Sequence, residues 1–315
     1  MSTPDWDQLA EDLAAVLGAE AVCREHPVGP ETTYRVGGAA RVGATFAAGV
    51  DMVGVAETLA AHRTDVLVVG NGSNLLVAEA GFDGVAVELG AGHDWVEVEG
   101  LQLRAGAAAG LPVLARRSAA AGLTGFEWAV GVPGSLGGGV RMNAGGHGAD
   151  MAASLIQAEV VDLGGGGVEQ WDVERLKLDY RSSALADHHL VVWAEMGLAI
   201  GDEADSQALI ADIVAWRREN QPGGQNAGSV FTNPHADHAG RIIDAAGLKG
   251  RRVGSASVSD KHANFFIADR EGSADDVFAL MCDVFAQVQA RFGISLKPET
   301  RLIGFGPGPW GDQAG

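Results

Sequence analysis

The chain has 315 residues and carries 41 acidic against 22 basic side chains, a formal charge of −19 with histidines neutral. That balance excludes sequence-independent binding to nucleic acid or anionic lipid, which needs clustered Lys and Arg, so any phosphate site must be local. With 47% hydrophobic and 20% charged residues the chain folds around ordered cores, and its length calls for two or three of them.

In chain order, residues 4–17 read as a first helix, because Trp6, Leu9, Leu13, Val16 and Leu17 recur at helical spacing and Gly18 follows as a stop. The acidic start shows no basic stretch leading into an apolar one, and no apolar run reaches the ~20 residues of a membrane span. A cytoplasmic protein without membrane contact is the expectation. Residues 33–46 read as two short strands broken at Gly37 and Gly38, followed by a helix over 51–63 with Asp51 as cap and the buried strand VLVVG. Between about 85 and 200 come the strands GVAVEL, WVEVEG, LQLRAG, AEVVDL, VEQWDV and LVVWAEMGL, with one helix near 111–121. Glycines 164–167 between two of them read as a hairpin turn.

A third block opens with a helix near 206–220, whose apolar stripe is Leu209, Ile210, Ile213, Val214 and Trp216. A helix near 239–246 stopped by Gly247 comes next. A last helix over 273–292 has Ser273 as cap and Val277, Leu280, Met281, Val284, Val288 and Phe292 on one face. The expected division is 1–88, 89–202 and 203–304, with 305–315 as a C-terminal tail. Cys23 and Cys282 stand far apart with no ligand-spaced neighbours, so neither a disulfide nor a zinc or other metal site is expected, and Cys282 reads as a buried, inert thiol.

Two glycine-rich segments carry the first chemical signal. The strand VLVVG runs into Gly70, Asn71, Gly72, Ser73, Asn74 and Leu75, where backbone N–H groups at a strand end form a nest for an anion or a plain turn. It is not the Rossmann fingerprint, since Leu75 takes the third glycine position and LLVAEAGF reads as a strand, not a helix. A second segment, GVPGSLGGG, spans Gly131, Pro133, Gly134, Ser135, Gly138 and Gly139 and is followed by Arg141 and Asn143. Such a stretch contributes little packing and permits close approach of backbone to a ligand. Together they suggest one long ligand, a dinucleotide gripped by backbone amides.

Three further strings join able side chains to glycine or proline: Tyr180-Arg181-Ser182, the run from Asn226 through Ser229 to Asn233-Pro234, and Lys297-Pro298-Glu299-Thr300-Arg301. Each alone reads as readily as a turn or surface pair. In order with GNGSNLL, GVPGSLGG, MNAGGHG, AGLKG and His262-Ala263-Asn264-Phe265, they make the chain resemble the UDP-N-acetylenolpyruvoylglucosamine reductases (MurB, or UDP-N-acetylmuramate dehydrogenases) over nearly its whole length. The stretch between Arg181 and Ser229 is short, as in the family's shorter type, which lacks an extra tyrosine-bearing loop.

The resemblance implies an α+β fold: a vanillyl-alcohol-oxidase-type (PCMH-like) FAD-binding region in two subdomains plus a C-terminal α+β substrate-binding domain. It implies FAD and NADPH as cofactors, UDP-N-acetyl-enolpyruvoylglucosamine as substrate, UDP-N-acetylmuramate for peptidoglycan as product, and a monomer. FAD is assigned to residues 70–75, Gly131, Pro133, Gly134, Ser135, Gly138, Gly139 and Asn143.

A vinyl ether resists hydride addition unless charge arriving on its carboxylate is stabilised. The permanent charge and fork of Arg181 suit that role, Glu299 joins it by analogy if its pKa is raised, and Ser229 is by resemblance the proton donor. Tyr180, Arg217, Asn233 and Arg301 are candidates for substrate contacts. Tyr180 is equally readable as a core residue and Arg217 as compensation of a helix dipole, whereas His262, a further candidate for substrate or cofactor contact, reads first as a structural histidine in a strand. Gly139 and Gly146 stand where the family usually has alanine, which should only loosen the backbone, and Thr232 replaces a common lysine. A flavin oxidase of the same fold and a non-catalytic UDP-sugar-binding paralogue are the alternatives; the first predicts rapid reoxidation by oxygen, the second the loss of one of Arg181, Ser229 and Glu299.

Overall fold

The computed structural model describes residues 4–311. Among these residues the chain forms two compact units: those up to His26, 41–71 and 84–217 make the first, and 27–40, 72–83 and those from Arg218 onward the second. Those cuts differ from the expected boundaries. Segments 27–40 and 72–83, from the first third of the chain, belong to the second unit, while the helix Glu203–Asn220 stays in the first as far as Arg217.

The first unit is built on two sheets. One orders the strands Val22–His26, Ala40–Phe46, Phe82–Leu89 and Val66–Val69, the last two parallel. Helices Trp6–Leu17 and Met52–His62 cover it, capped by Asp5 and Asp51 side chains that accept from first-turn N–H groups. The other sheet is antiparallel throughout, in the order Val168–Asp172, Leu155–Asp162, His189–Gly197, Gln102–Gly106, Val96–Glu99. Its period-2 pattern buries both faces: Val160 and Val191 enter one core with Leu111, Leu114 and Phe126, whereas Val161, Leu190 and Val192 enter another with Leu9, Val55 and Val87. Residues 164–167 form the expected hairpin turn, with the Asp162 N–H donating to the Gly167 carbonyl.

The second unit has the antiparallel sheet Arg252–Val253, Ala256–Val258, Phe266–Ala268 and the parallel pair Leu75–Val77 with Arg301–Ile303. Helices Ala239–Ala245 and Ala274–Phe292 pack around Val230, Phe231, Phe266 and Leu76. Ser273 caps the long helix as expected, and Gly293 ends it in the left-handed conformation.

Several expectations are corrected. The first half of the predicted 33–46 strand pair is a turn, because the Gly37 backbone, at φ 109°, lies against the Val77 carbonyl where a Cβ would be 2.0 Å away. On Glu203–Asn220 only Ser206, Ile210 and Ile213 are buried; Leu209, Val214 and Trp216 are exposed, as is Phe292 on the last helix. Cys282 is half-buried, with its thiol pushed above the usual range by burial, and Cys23 is exposed. Nor are residues 305–311 a loose tail. The Phe305 ring stacks on Phe278 at 4.6 Å and Trp310 meets Phe231, Phe278 and Phe285, aromatic burial that holds the segment against the second unit's core. The rest of that expected tail, 312–315, lies outside the described residues.

Candidate active site

Half of the second glycine segment is a helix, not a loop. Ser135 caps Leu136–Arg141 by accepting from the Gly138 N–H. Gly139 is buried, and a Cβ there would come within 3.1 Å of Leu111 and Met151, so this glycine serves tight packing where looser backbone was expected; Gly146 has open space. Gly138, by contrast, is exposed. Among the described residues nothing accepts from the N–H groups of Gly134 and Ser135.

Asn143 closes the segment. It is 2% exposed and held at φ 38°. Its amide nitrogen donates to the Asp179 carbonyl at 3.0 Å and to Asp150 Oδ2 at 3.2 Å, and its Oδ1 accepts from the Ala152 N–H at 3.0 Å. All of these bonds are internal, and they fix the backbone around the residue.

The Asp179 carbonyl leads to Arg181. Asp179 and Ser182 exchange two hydrogen bonds of 3.0 Å each, making a tight turn with Tyr180 and Arg181 at its tip. Arg181, at φ 56°, donates to the carbonyls of Gly145 at 2.9 Å and Asn143 at 3.5 Å. The guanidinium is thereby seated on the strand that follows the glycine-rich helix. Tyr180 is 51% exposed with the Arg181 guanidinium 5.2 Å from its ring centre, which rules out the core reading.

Arg217 approaches the same segment. Its charge, after burial, holds His147 below the usual imidazole range; His147 meets Trp216 edge-on at 5.1 Å and lies beside Gly131. The first glycine segment also reaches here, since a Cβ on Gly70 would sit 2.4 Å from Ser135 Oγ. Among the described residues nothing accepts from the N–H groups of Asn71, Gly72, Ser73 and Asn74.

In the second unit the chain brings Ser229 and Glu299 onto adjacent extended segments. The Glu299 N–H donates to the Val230 carbonyl at 2.7 Å, and the Thr232 N–H to the Lys297 carbonyl at 2.8 Å. Asn74 donates from its side chain to the Glu299 carbonyl at 3.0 Å and accepts from the Arg301 N–H at 2.9 Å, while Leu75 pairs with Arg301. Both Ser229 and Glu299 are partly exposed. Asn233 Oδ1 accepts from the Ala239 N–H and so tops the helix Ala239–Ala245. His262 lies in a turn instead of a strand, its ring 4.7 Å from Phe265 and its pKa lowered by burial. Sequence reasoning quoted Asn264 only as part of a string; its side chain makes two bonds to Phe231. A buried Asn is invisible to periodicity, and only its partners reveal it.

Comparison with known proteins bears on this arrangement. The profile of the UDP-N-acetylenolpyruvoylglucosamine reductase C-terminal domain matches residues 220–303, and that of an FAD binding domain matches residues 50–170. UDP-N-acetylenolpyruvoylglucosamine reductase from Rubrobacter xylanophilus is 37% identical over 282 residues, covering 89% of this chain and 94% of that one. Reductase 2 of that name from Symbiobacterium thermophilum is 36% identical, covering 95% and 98%. Among solved structures, UDP-N-acetylenolpyruvylglucosamine reductase (MurB) from Thermus caldophilus superposes with a TM-score of 0.76 at 32% identity, over 89% of this chain and 98% of that one. Phl p 4.0202, a glucose dehydrogenase, reaches a TM-score of 0.51 at 14% identity over 89% and 58%, a likeness of fold alone.

Proposed function

The chain belongs to the UDP-N-acetylenolpyruvoylglucosamine reductase family, and from that premise we propose how its residues share the work of reducing UDP-N-acetyl-enolpyruvoylglucosamine to UDP-N-acetylmuramate with NADPH. The donor set fits FAD. N–H groups without an acceptor among the described residues recur at Asn71 to Asn74 and at Gly134 and Ser135, the pattern that receives a pyrophosphate. Residues 70–75, Gly131, Pro133, Gly134, Ser135, Gly138 and Gly139 are assigned to hold it, with Asn143 fixing their backbone. When bound, FAD supplies a two-electron carrier between NADPH and the substrate's vinyl ether.

The protein's own part is to make the vinyl ether accept a hydride. Arg181 meets the substrate carboxylate with a charge that cannot be titrated away, and the two backbone carbonyls beneath it keep the guanidinium from swinging free. Glu299, protonated, adds a hydrogen bond to the growing enediolate. Ser229 then passes a proton to the adjacent carbon. Tyr180, Arg217, Asn233 and Arg301 are assigned to the UDP-sugar. We assign the chain to the shorter type, acting as a cytoplasmic monomer without nucleic-acid or membrane partners; no helix among the described residues is long and apolar enough to cross a membrane.

The observation that carries this reading is the backbone bond between Val230 and Glu299, which sets the proposed proton donor and the proposed acid on neighbouring segments. Ser229→Ala tests it. NADPH should bleach the flavin at an unchanged rate, while turnover of the enolpyruvyl sugar falls roughly a thousandfold, the scale of a lost general acid. Equal loss in both half-reactions would refute the role.

A further inference from the structure

The segment 229–232 is paired on both edges, and the two edges are made differently. Along one edge it meets ordinary backbone: Glu299 and Thr232 N–H groups close the bonds to residues 297–299, around the bridge between Phe231 and Pro298. Along the other, backbone pairing begins with the Ser229–Phe265 bridge and the Val230 N–H to the Asn264 carbonyl at 2.8 Å, and then stops. It stops because residues 262–265 form a turn, with the Phe265 N–H bonded to the His262 carbonyl at 3.0 Å, so that the chain leads away before it can reach Phe231. The Asn264 side chain fills the gap. Its Oδ1 accepts from the Phe231 N–H at 3.0 Å and its Nδ2 donates to the Phe231 carbonyl at 2.8 Å.

We propose that Asn264 is a positioning residue, whose side-chain amide stands in for the missing peptide group of a strand and so sets the Ser229 hydroxyl against Glu299. This rests on the reading of Ser229 as proton donor. The physical case is that Asn264 is 2% exposed and Phe231 fully buried, so bulk solvent does not reach this edge and the fixed amide alone sets its geometry. Without it both Phe231 backbone groups lose their rigid partner on this edge. The segment would relax by shifting, and Ser229, two residues upstream and bridged only to Phe265 there, would move with it. Small misplacements of a reacting group are costly, about a hundredfold for 1 Å.

The test uses the flavin-loaded enzyme and reads the two half-reactions separately. Asn264→Ala should slow reduction of the enolpyruvyl sugar by roughly tenfold to a hundredfold and leave flavin bleaching by NADPH within about twofold of wild type. Combined with Ser229→Ala it should be no slower than Ser229→Ala alone, because a residue that acts through the hydroxyl has nothing left to act through. Asn264→Asp keeps the volume and serves if the alanine variant fails to fold. A protonated carboxyl can both accept from the Phe231 N–H and donate to its carbonyl, whereas a carboxylate can only accept. Its sugar-reducing rate, taken as a ratio to wild type at each pH, should therefore climb as pH falls. A wild-type rate for Asn264→Ala, equal slowing of both halves, a multiplicative double variant or a flat ratio for Asn264→Asp would each overturn the proposal. An unimpaired Ser229→Ala would instead overturn the reading beneath it.

Discussion

Asn143 in the first unit and Asn264 in the second are equally buried, yet they solve opposite problems. Around Asn143 the glycines offer no side chains to pack, so one amide in a left-handed turn ties Asp150, Ala152 and Asp179 together and holds a whole loop. Around Asn264 the segment already has a backbone neighbour on its far side, and the amide repairs a single residue's pairing. A glycine-rich backbone thus needs a hub, whereas an extended segment already paired along one edge needs only a patch.

The largest effect expected from this contrast is at the hub. Asn143→Ala removes three bonds and places a Cβ-bearing residue without local hydrogen bonding at positive φ, which should cost about 2–4 kcal/mol and lower flavin content as well as rate. Chemical unfolding followed with flavin absorbance measures both, and a loss no greater than that of Asn264→Ala would break the comparison. Next in size is Gly70→Ala. A methyl group would meet Ser135 Oγ at 2.4 Å, so flavin affinity should fall about tenfold, the weight of 1–2 kcal/mol of overpacking. Adding Ser135→Ala, which deletes that oxygen, should win part of it back in the same titration; an undisturbed Gly70→Ala would mean the two segments do not lean on each other.

The smallest effect is on pH. His147 and His189 in the first unit and His262 in the second are held below the ordinary value of 6.5, chiefly by burial. As pH falls, the unfolded chain binds these protons more readily than the folded one, so stability is complete well above pH 6.5 and declines below it. Calorimetry between pH 8 and 5 should show Tm dropping by a few degrees, and His262→Gln should flatten part of the slope if the second unit contributes.

Helices and strands with strong periodicity were legible from residues alone, as were the caps Asp51 and Ser273 and the hairpin at 164–167, because each depends on neighbours within a turn or two. The helix inside GVPGSLGGG was not, since three of its first four residues are glycines and only Ser135 announces it. The exposed stripe of Glu203–Asn220 misled for a related reason: apolar spacing marks a face but does not say that anything covers it.

The order of motifs in the chain determined the family and named Arg181, Ser229 and Glu299 as candidates, because chemistry restricts which residue types serve and a linear string preserves that restriction. Which segments share a unit was decided only by tertiary structure. Residues 27–40 and 72–83 leave their sequence neighbours to join a core whose other members begin at Ala227, and Asn143 and Asn264 acquire their partners only in the folded chain. Long-range hydrogen bonds and buried contacts set these placements, and no local pattern encodes the distance across which they act.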